Sequence, residues 1–82
     1  MGMRTITFIC HDAHHQVFFV EGRASLKWSE DGEPRADIVK AWAAALDIYP
    51  EDAFSRGDLV GAAIQHPNTG VLTWVQDSEG RI

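Results

Sequence analysis

Apolar and polar residues alternate along the N-terminal third of the chain, which is the pattern of β-strands with one buried face. Residues 4–10 place their larger apolar side chains on one face, and residues 24–30 repeat the alternation. Residues 16–22 lie between these segments and are apolar on both faces. A polar segment at 11–15 separates the first two runs. The pattern predicts three consecutive strands, the first two joined by a turn.

Helical spacing replaces the alternation after a turn at residues 31–34. Pro34 suits the first position of a helix, and the main helix is predicted over residues 36–48. Its apolar stripe is wide enough to cover one face of a sheet. The stripe comprises Ile38, Val39, Trp42, Ala45, Leu46 and Tyr49. Residues 50–56 open with a proline and two acidic residues, which predicts a second, short helix.

The last third of the chain contains two further apolar runs. Residues 58–66 fit either a helix or a strand by spacing alone, whereas residues 71–76 are plainly a strand. Because a loop containing proline and glycine joins the two runs, a hairpin is favoured. The predicted order is β-β-β-α-(short α)-β-β. This is an α+β domain with a mostly antiparallel sheet of about five strands and one main helix packed on one face. It spans residues 1–82 as a single domain, and Met1-Gly2 is interpreted as a cloning remnant.

Two of the predicted strands have too much apolar surface for one helix to cover. Val17 and Phe19 point to one face of their strand, and Phe18 and Val20 point to the other. Residues 71–76 show the same doubling. Burying a phenylalanine is worth about 1.5–3 kcal/mol, so an uncovered pair predicts an interface with another protein or a second copy of the chain. The alternative is a curled sheet covered by loops. The interface candidates are Phe18, Phe19, Leu72 and Trp74.

The charge of the chain disfavours a nucleic-acid partner. Twelve acidic and seven basic residues give a formal net charge of −5, and the basic residues are scattered singly. Phosphate binding needs a basic patch, which this distribution does not supply. The acidic residues are densest in one turn, where they predict a rim that steers a basic protein partner. These residues are Glu30, Asp31 and Glu33.

A cluster of histidines precedes the second strand. His11, Asp12, His14 and His15 are all competent ligands for zinc or another divalent metal, and three imidazoles with an open position are typical of a catalytic zinc. His14 and His15 would point to opposite faces of a strand, so only a turn brings them together. The competing interpretation is a solvated loop. The single cysteine, Cys10, lies on the apolar face of its strand and is interpreted as a core residue.

These observations predict a small acidic, non-enzymatic protein-binding domain that acts as an inhibitor, adaptor or regulator through an apolar sheet face. An inhibitor from a phage or other mobile element, such as an anti-defence protein, suits the size and charge; other small regulators suit them equally. We expect a cytoplasmic protein that forms a homodimer, needs no cofactor and does not enter a membrane, because no apolar run approaches the length of a membrane span. The alternative hypothesis is a divalent-metal-binding protein or small metal-dependent enzyme built on His11, Asp12, His14 and His15.

Overall fold

The alternating segments form strands and the helically spaced segments form helices in the computed structural model, which describes residues 3–56 and 58–81. The predicted α+β class is confirmed. In chain order the elements are β1 (Met3–His11), β2 (Val17–Ser25), β3 (Lys27–Trp28), β4 (Pro34–Ala36), α1 (Ile38–Leu46), α2 (Pro50–Arg56), β5 (Leu59–Gln65), β6 (Leu72–Trp74) and β7 (Gln76–Asp77). The ambiguous segment at 58–66 is a strand, as the hairpin argument predicted.

Four of the strands form an antiparallel sheet in the order β2-β1-β5-β6. A tight turn joins β1 to β2. The side chain of Asp12 shapes this turn, because its Oδ1 accepts hydrogen bonds from the backbone N–H groups of His14 at 2.8 Å and Gln16 at 3.0 Å. His15 adopts the left-handed conformation with φ 61°. The polar segment at 11–15 is therefore a hairpin turn organised by an aspartate.

A second, three-stranded sheet has the order β3-β4-β7, so the described residues form seven strands rather than about five. The predicted strand at 24–30 is divided at Leu26, with β2 ending at Ser25 and β3 beginning at Lys27. Pro34 lies in β4 and not at the start of a helix. β4 runs parallel to β7, with Arg35 opposite Gln76. Strands of two or three residues leave little alternation for sequence reasoning to detect.

The main helix begins two residues later than the sequence predicts, because Asp37 caps it. Asp37 Oδ1 accepts a hydrogen bond from the Lys40 N–H at 3.1 Å, which satisfies one of the unpaired donors of the first turn. The helix ends at Leu46, and Asp47 follows in the left-handed conformation with φ 59°. Helical spacing does not continue to Tyr49, which is exposed, and Ala45 is exposed as well. The predicted stripe is therefore wrong at Tyr49, whereas Ala45, although exposed, directs its methyl group toward Gly22 of β2.

The core lies between α1 and one face of the four-stranded sheet. Ile6, Phe8 and Cys10 of β1 are fully buried there, and Trp42 and Ile38 of α1 are buried in the same cluster. Cys10 is therefore a core residue, as its position on the apolar face predicted. Among the described residues, no helix is long and apolar enough to cross a membrane.

The replacement Asp37→Ala is expected to lower the free energy of unfolding by about 0.5–2 kcal/mol, because the first turn of α1 loses its cap. Asp37 also forms an ion pair with Arg81, so Asp37→Asn is the matched variant that keeps the cap oxygen and removes the charge. Both side chains of the pair are about one-third exposed, and such pairs contribute little. In urea denaturation, the free energy of unfolding of Asp37→Asn should therefore be close to that of the wild type. Equal destabilisation by Asn and Ala would show that the ion pair dominates.

Candidate protein-binding face

The pairing of β1 with β2 decides which side chains face the helix. Residues directly opposite each other on antiparallel strands point to the same face. Phe18 lies opposite Cys10, which is buried, so Phe18 points to the inner face of the sheet. Phe19 lies opposite Ile9 and points to the outer face, away from α1. The doubly apolar run of β2 is thus divided between the two faces.

The other edge of the sheet contributes a second aromatic residue to the outer face. Trp74 lies opposite Ala63, and Leu72 lies opposite Gln65. The indole of Trp74 lies directly over Gly61, since an ideal Cβ built on Gly61 would be only 2.7 Å from Trp74 Cζ3. Gly61 is in turn opposite Ile9. Phe19, Ile9, Gly61 and Trp74 therefore form one continuous apolar row across all four strands.

We call this row, together with its apolar neighbours on the same face, the outer strip. Its members are Ile9, Val17, Phe19, Gly61, Leu72 and Trp74. Phe19 is 66% exposed, Trp74 55% and Leu72 70%. With about 150–250 Å² per aromatic side chain, Phe19 and Trp74 alone leave roughly 180–300 Å² in contact with water. Val17 and Leu72, which are 62% and 70% exposed, add to this area. The largest apolar patches on monomeric proteins, of about 300–600 Å², are often functional.

Phe18 is separated from the other three candidates by its orientation. It is 37% exposed and lies at the end of the inner face, beside the turn that joins β1 to β2. The sequence could not assign a face to each member of the pairs, because alternation alone does not say which side the helix covers. Phe19, Leu72 and Trp74 share the outer face, and Phe18 does not.

Two members of the outer strip were absent from the predicted site. Ile9 lies on the face of β1 opposite Phe8, and the alternation of residues 4–10 is sufficient to indicate this. Gly61 carries no side chain, and its role depends on the packing of Trp74 over it. No pattern in the sequence indicates that contact, because it joins two strands whose register is set by the loop between them.

Apart from Ala63 and from Met3 at the start of β1, the remainder of the outer face is polar and nearly balanced in charge. Thr5 and Thr7 lie in the middle of β1, and Glu21 and Arg23 lie opposite them on β2, with Thr7 facing Glu21 and Thr5 facing Arg23. Glu21 and Arg23 are the only aspartate, glutamate, lysine or arginine side chains that these four strands direct to the outer face. The outer strip is therefore flanked by hydroxyls and by one acid and one base.

The acidic turn lies elsewhere. Glu30, Asp31 and Glu33 lie between β3 and β4 in the three-stranded sheet. Ser29 donates a hydrogen bond from its hydroxyl to Asp31, and this bond is the main reason that the pKa of Asp31 is lowered from its ordinary value. A lowered pKa means that the carboxylate contributes to stability above the unfolded pKa, and that this contribution is lost as the pH falls through the folded value. The three acids thus belong to a turn of the smaller sheet and not to the outer strip itself.

The histidine turn does not assemble a ligand set. The rings of His11 and His15 are 5.9 Å apart between centroids and tilted by 41°, and Asp12 Oδ1 accepts hydrogen bonds from two backbone N–H groups of its own turn. Within residues 3–56 and 58–81, no group of three or more histidine, cysteine, aspartate or glutamate side chains is placed to hold a metal ion.

Comparisons with known proteins add no family to this picture. No protein-family model, curated protein or solved structure matches the chain. The candidate face therefore depends on the geometry and chemistry of its own residues.

Proposed function

We propose that this chain is a small protein-binding domain that acts by docking a partner protein on the outer strip. The observation that carries the proposal is the exposure of Phe19, Leu72 and Trp74 together on the sheet face that α1 leaves uncovered. An inhibitor, an adaptor and a regulator all act in this way. Each works by occupying a surface of its target, which requires no reacting group in the docking domain.

The shape of the surface favours a protein over a small molecule. Small-molecule sites are concave and enclose most of the ligand. The outer strip is the broad face of a four-stranded sheet, with its aromatic side chains at opposite edges on β2 and β6. Interfaces are enriched in aromatic anchors of this kind, surrounded by polar contacts that exclude water.

The charge of the surface favours a protein over a nucleic acid. The outer face directs one base, Arg23, and one acid, Glu21, toward solvent. Binding to a phosphate backbone depends on several lysine or arginine contacts. A partner with an apolar centre and a polar rim matches the strip better. The acidic turn at residues 30–33 adds a negative region on the smaller sheet, which would speed encounter with a basic partner.

Capture of the partner from a lysate of the native host tests the proposal when single variants are compared. Phe19→Ser and Trp74→Ser each remove one aromatic anchor of the strip. Tyr49→Ser is the matched control, because Tyr49 is 75% exposed and lies between α1 and α2 rather than on the outer face. Loss of an anchor is expected to weaken binding by about 30-fold or more. The partner identified by mass spectrometry should therefore be retained by Tyr49→Ser and lost by both strip variants.

The same comparison contains the result that would contradict the proposal. If Phe19→Ser and Trp74→Ser both bind the partner within about twofold of the wild type while remaining folded by circular dichroism, the strip does not dock it. A dye that binds apolar surface supplies an independent readout, since its fluorescence should fall in both strip variants and remain unchanged in Tyr49→Ser.

A further inference from the structure

The edge strand β2 has no proline, lysine or bulge to protect it, and its charged residues are one acid, Glu21, and one base, Arg23. It is nine residues long, pairs with β1 alone among the described strands, and keeps one continuous register from Val17 to Ser25. Exposed edges are normally kept short or interrupted by a bulge, a proline or a lysine, because they offer unpaired backbone groups to another strand. The opposite edge, β6, has three residues. β2 is therefore the edge at which another strand can be added.

The hydrogen bonds around β1 identify which backbone groups of β2 are free. The Asp12 N–H donates to the Gln16 carbonyl on the β2 side at 3.0 Å, and the His11 N–H donates to the Asp58 carbonyl on the other side at 2.9 Å. Bonding alternates along an antiparallel ladder. The even-numbered residues of β2 therefore bond to β1, and the odd-numbered residues direct their N–H and C=O groups away from the sheet. These residues are Val17, Phe19, Glu21, Arg23 and Ser25.

We propose that a second copy of this chain pairs its β2 antiparallel with β2, around a twofold axis at Gly22. In this register Gly22 lies opposite Gly22 of the partner subunit, and Glu21 lies opposite Arg23 of the partner subunit. The twofold axis repeats the ion pair, so both charges that β2 directs outward are matched. Directly opposite charges of unlike sign stabilise antiparallel strands, and like charges destabilise them. A register centred on Glu21 sets two glutamates against each other, which disfavours it.

The local packing suits this register. Gly22 adds no side chain at the axis, and the α1 residue nearest to it is Ala45, whose Cβ would be 3.0 Å from an ideal Cβ on Gly22. Ala45 is exposed, so α1 presents a methyl group where the inner faces of the two subunits meet. A twofold axis perpendicular to the sheet keeps both outer strips on one face of an eight-stranded sheet. The inference depends on the free backbone edge and not on the proposed function, although it would double the docking surface.

Charge exchange across the axis tests both the dimer and its register. Sedimentation equilibrium over a range of protein concentrations measures the dimer dissociation constant. We expect Glu21→Arg and Arg23→Glu each to raise this constant by at least about tenfold, since each places two pairs of like charges face to face. The double variant Glu21→Arg/Arg23→Glu retains the wild-type net charge and should restore the constant to within about threefold of wild type.

A second test of the dimer removes a backbone N–H group of β2 and does not depend on charge exchange. Glu21→Pro deletes an N–H that points away from β1, so the monomer should keep its circular dichroism spectrum while the dimer is lost. Val20→Pro deletes an N–H of the β1 ladder and is the control that should destabilise the fold itself. A wild-type protein that is monomeric at millimolar concentration would overturn the inference. A dimer that persists in Glu21→Pro would also overturn it. A dimer that is lost in Trp74→Ser would overturn it as well, because such a dimer assembles through the outer strip. Trp74→Ser should abolish partner capture and leave the β2 dimer intact, which separates the two proposals.

Discussion

Replacing Trp42 with alanine is expected to lower the free energy of unfolding by about 3–5 kcal/mol, the largest effect of any single substitution considered for this chain. Trp42 is 1% exposed and lies in the cluster that joins α1 to Ile6 and Phe8 of β1. α1 is the helix that covers the inner face, and the cavity would lie at the centre of that contact. A chain of this length has a total stability of roughly 4–12 kcal/mol. Urea denaturation followed by circular dichroism should therefore show a much lower midpoint or no folded baseline.

Trp74→Ala is the matched control, since it makes the same chemical change on the uncovered face. Trp74 is 55% exposed, and its indole lies over Gly61. We expect its loss to change the free energy of unfolding by about 1 kcal/mol or less, because most of the side chain stays in water in both states. Comparable losses of stability in the two variants would show that Trp74 is part of the core, and the outer strip would then lose its main anchor.

The contrast between these two tryptophans shows what the sequence determines. Trp42 belongs to a helical stripe with Ile38 and Val39, and the period of that stripe identified it as a core residue. Alternation in β1 identified Ile6, Phe8 and Cys10 in the same way. Long, strongly periodic segments encode both their type and their buried face. For this reason the main helix and β1 were predictable from their periodicity, whereas β5 was predicted as a strand from the loop that joins it to residues 71–76.

Short elements and tertiary contacts were not predictable in the same way. Pro34 satisfies the rule for the start of a helix, but it lies in β4 because Asp37 caps α1 and β7 pairs with β4 from the far end of the chain. A partner so distant in sequence leaves no local signal. The face of each apolar residue in β2 and β6 likewise depends on register and on the position of α1. The sequence therefore predicted exposed apolar surface on these strands without indicating which side chains share a face.

The indole of Trp74 can lie on the sheet only because Gly61 has no side chain, and Gly61→Val tests this directly. A Cβ at Gly61 would lie 2.7 Å from Trp74 Cζ3 and 3.2 Å from Cε3, so the indole must leave the sheet surface. Trp74 lies on the edge strand β6 and has open solvent to move into, which keeps the cost in stability moderate. If the strip docks a protein, binding should weaken about 30-fold or more, as for loss of the side chain itself. Titration of the captured partner against each variant measures this effect.

A double-mutant cycle distinguishes displacement of Trp74 from a general disturbance of β5. Gly61→Val in a Trp74→Ser background has no indole to displace, so it should add little to the loss of binding caused by Trp74→Ser alone. Strong non-additivity of this kind is the signature of two positions that act through one contact. The fluorescence of Trp74 gives a readout that needs no partner, since the indole moves from a contact with the sheet into water. Additive losses in the cycle would mean that Gly61 contributes to binding by some route other than Trp74, and the continuous row from Phe19 to Trp74 would not be the docking surface.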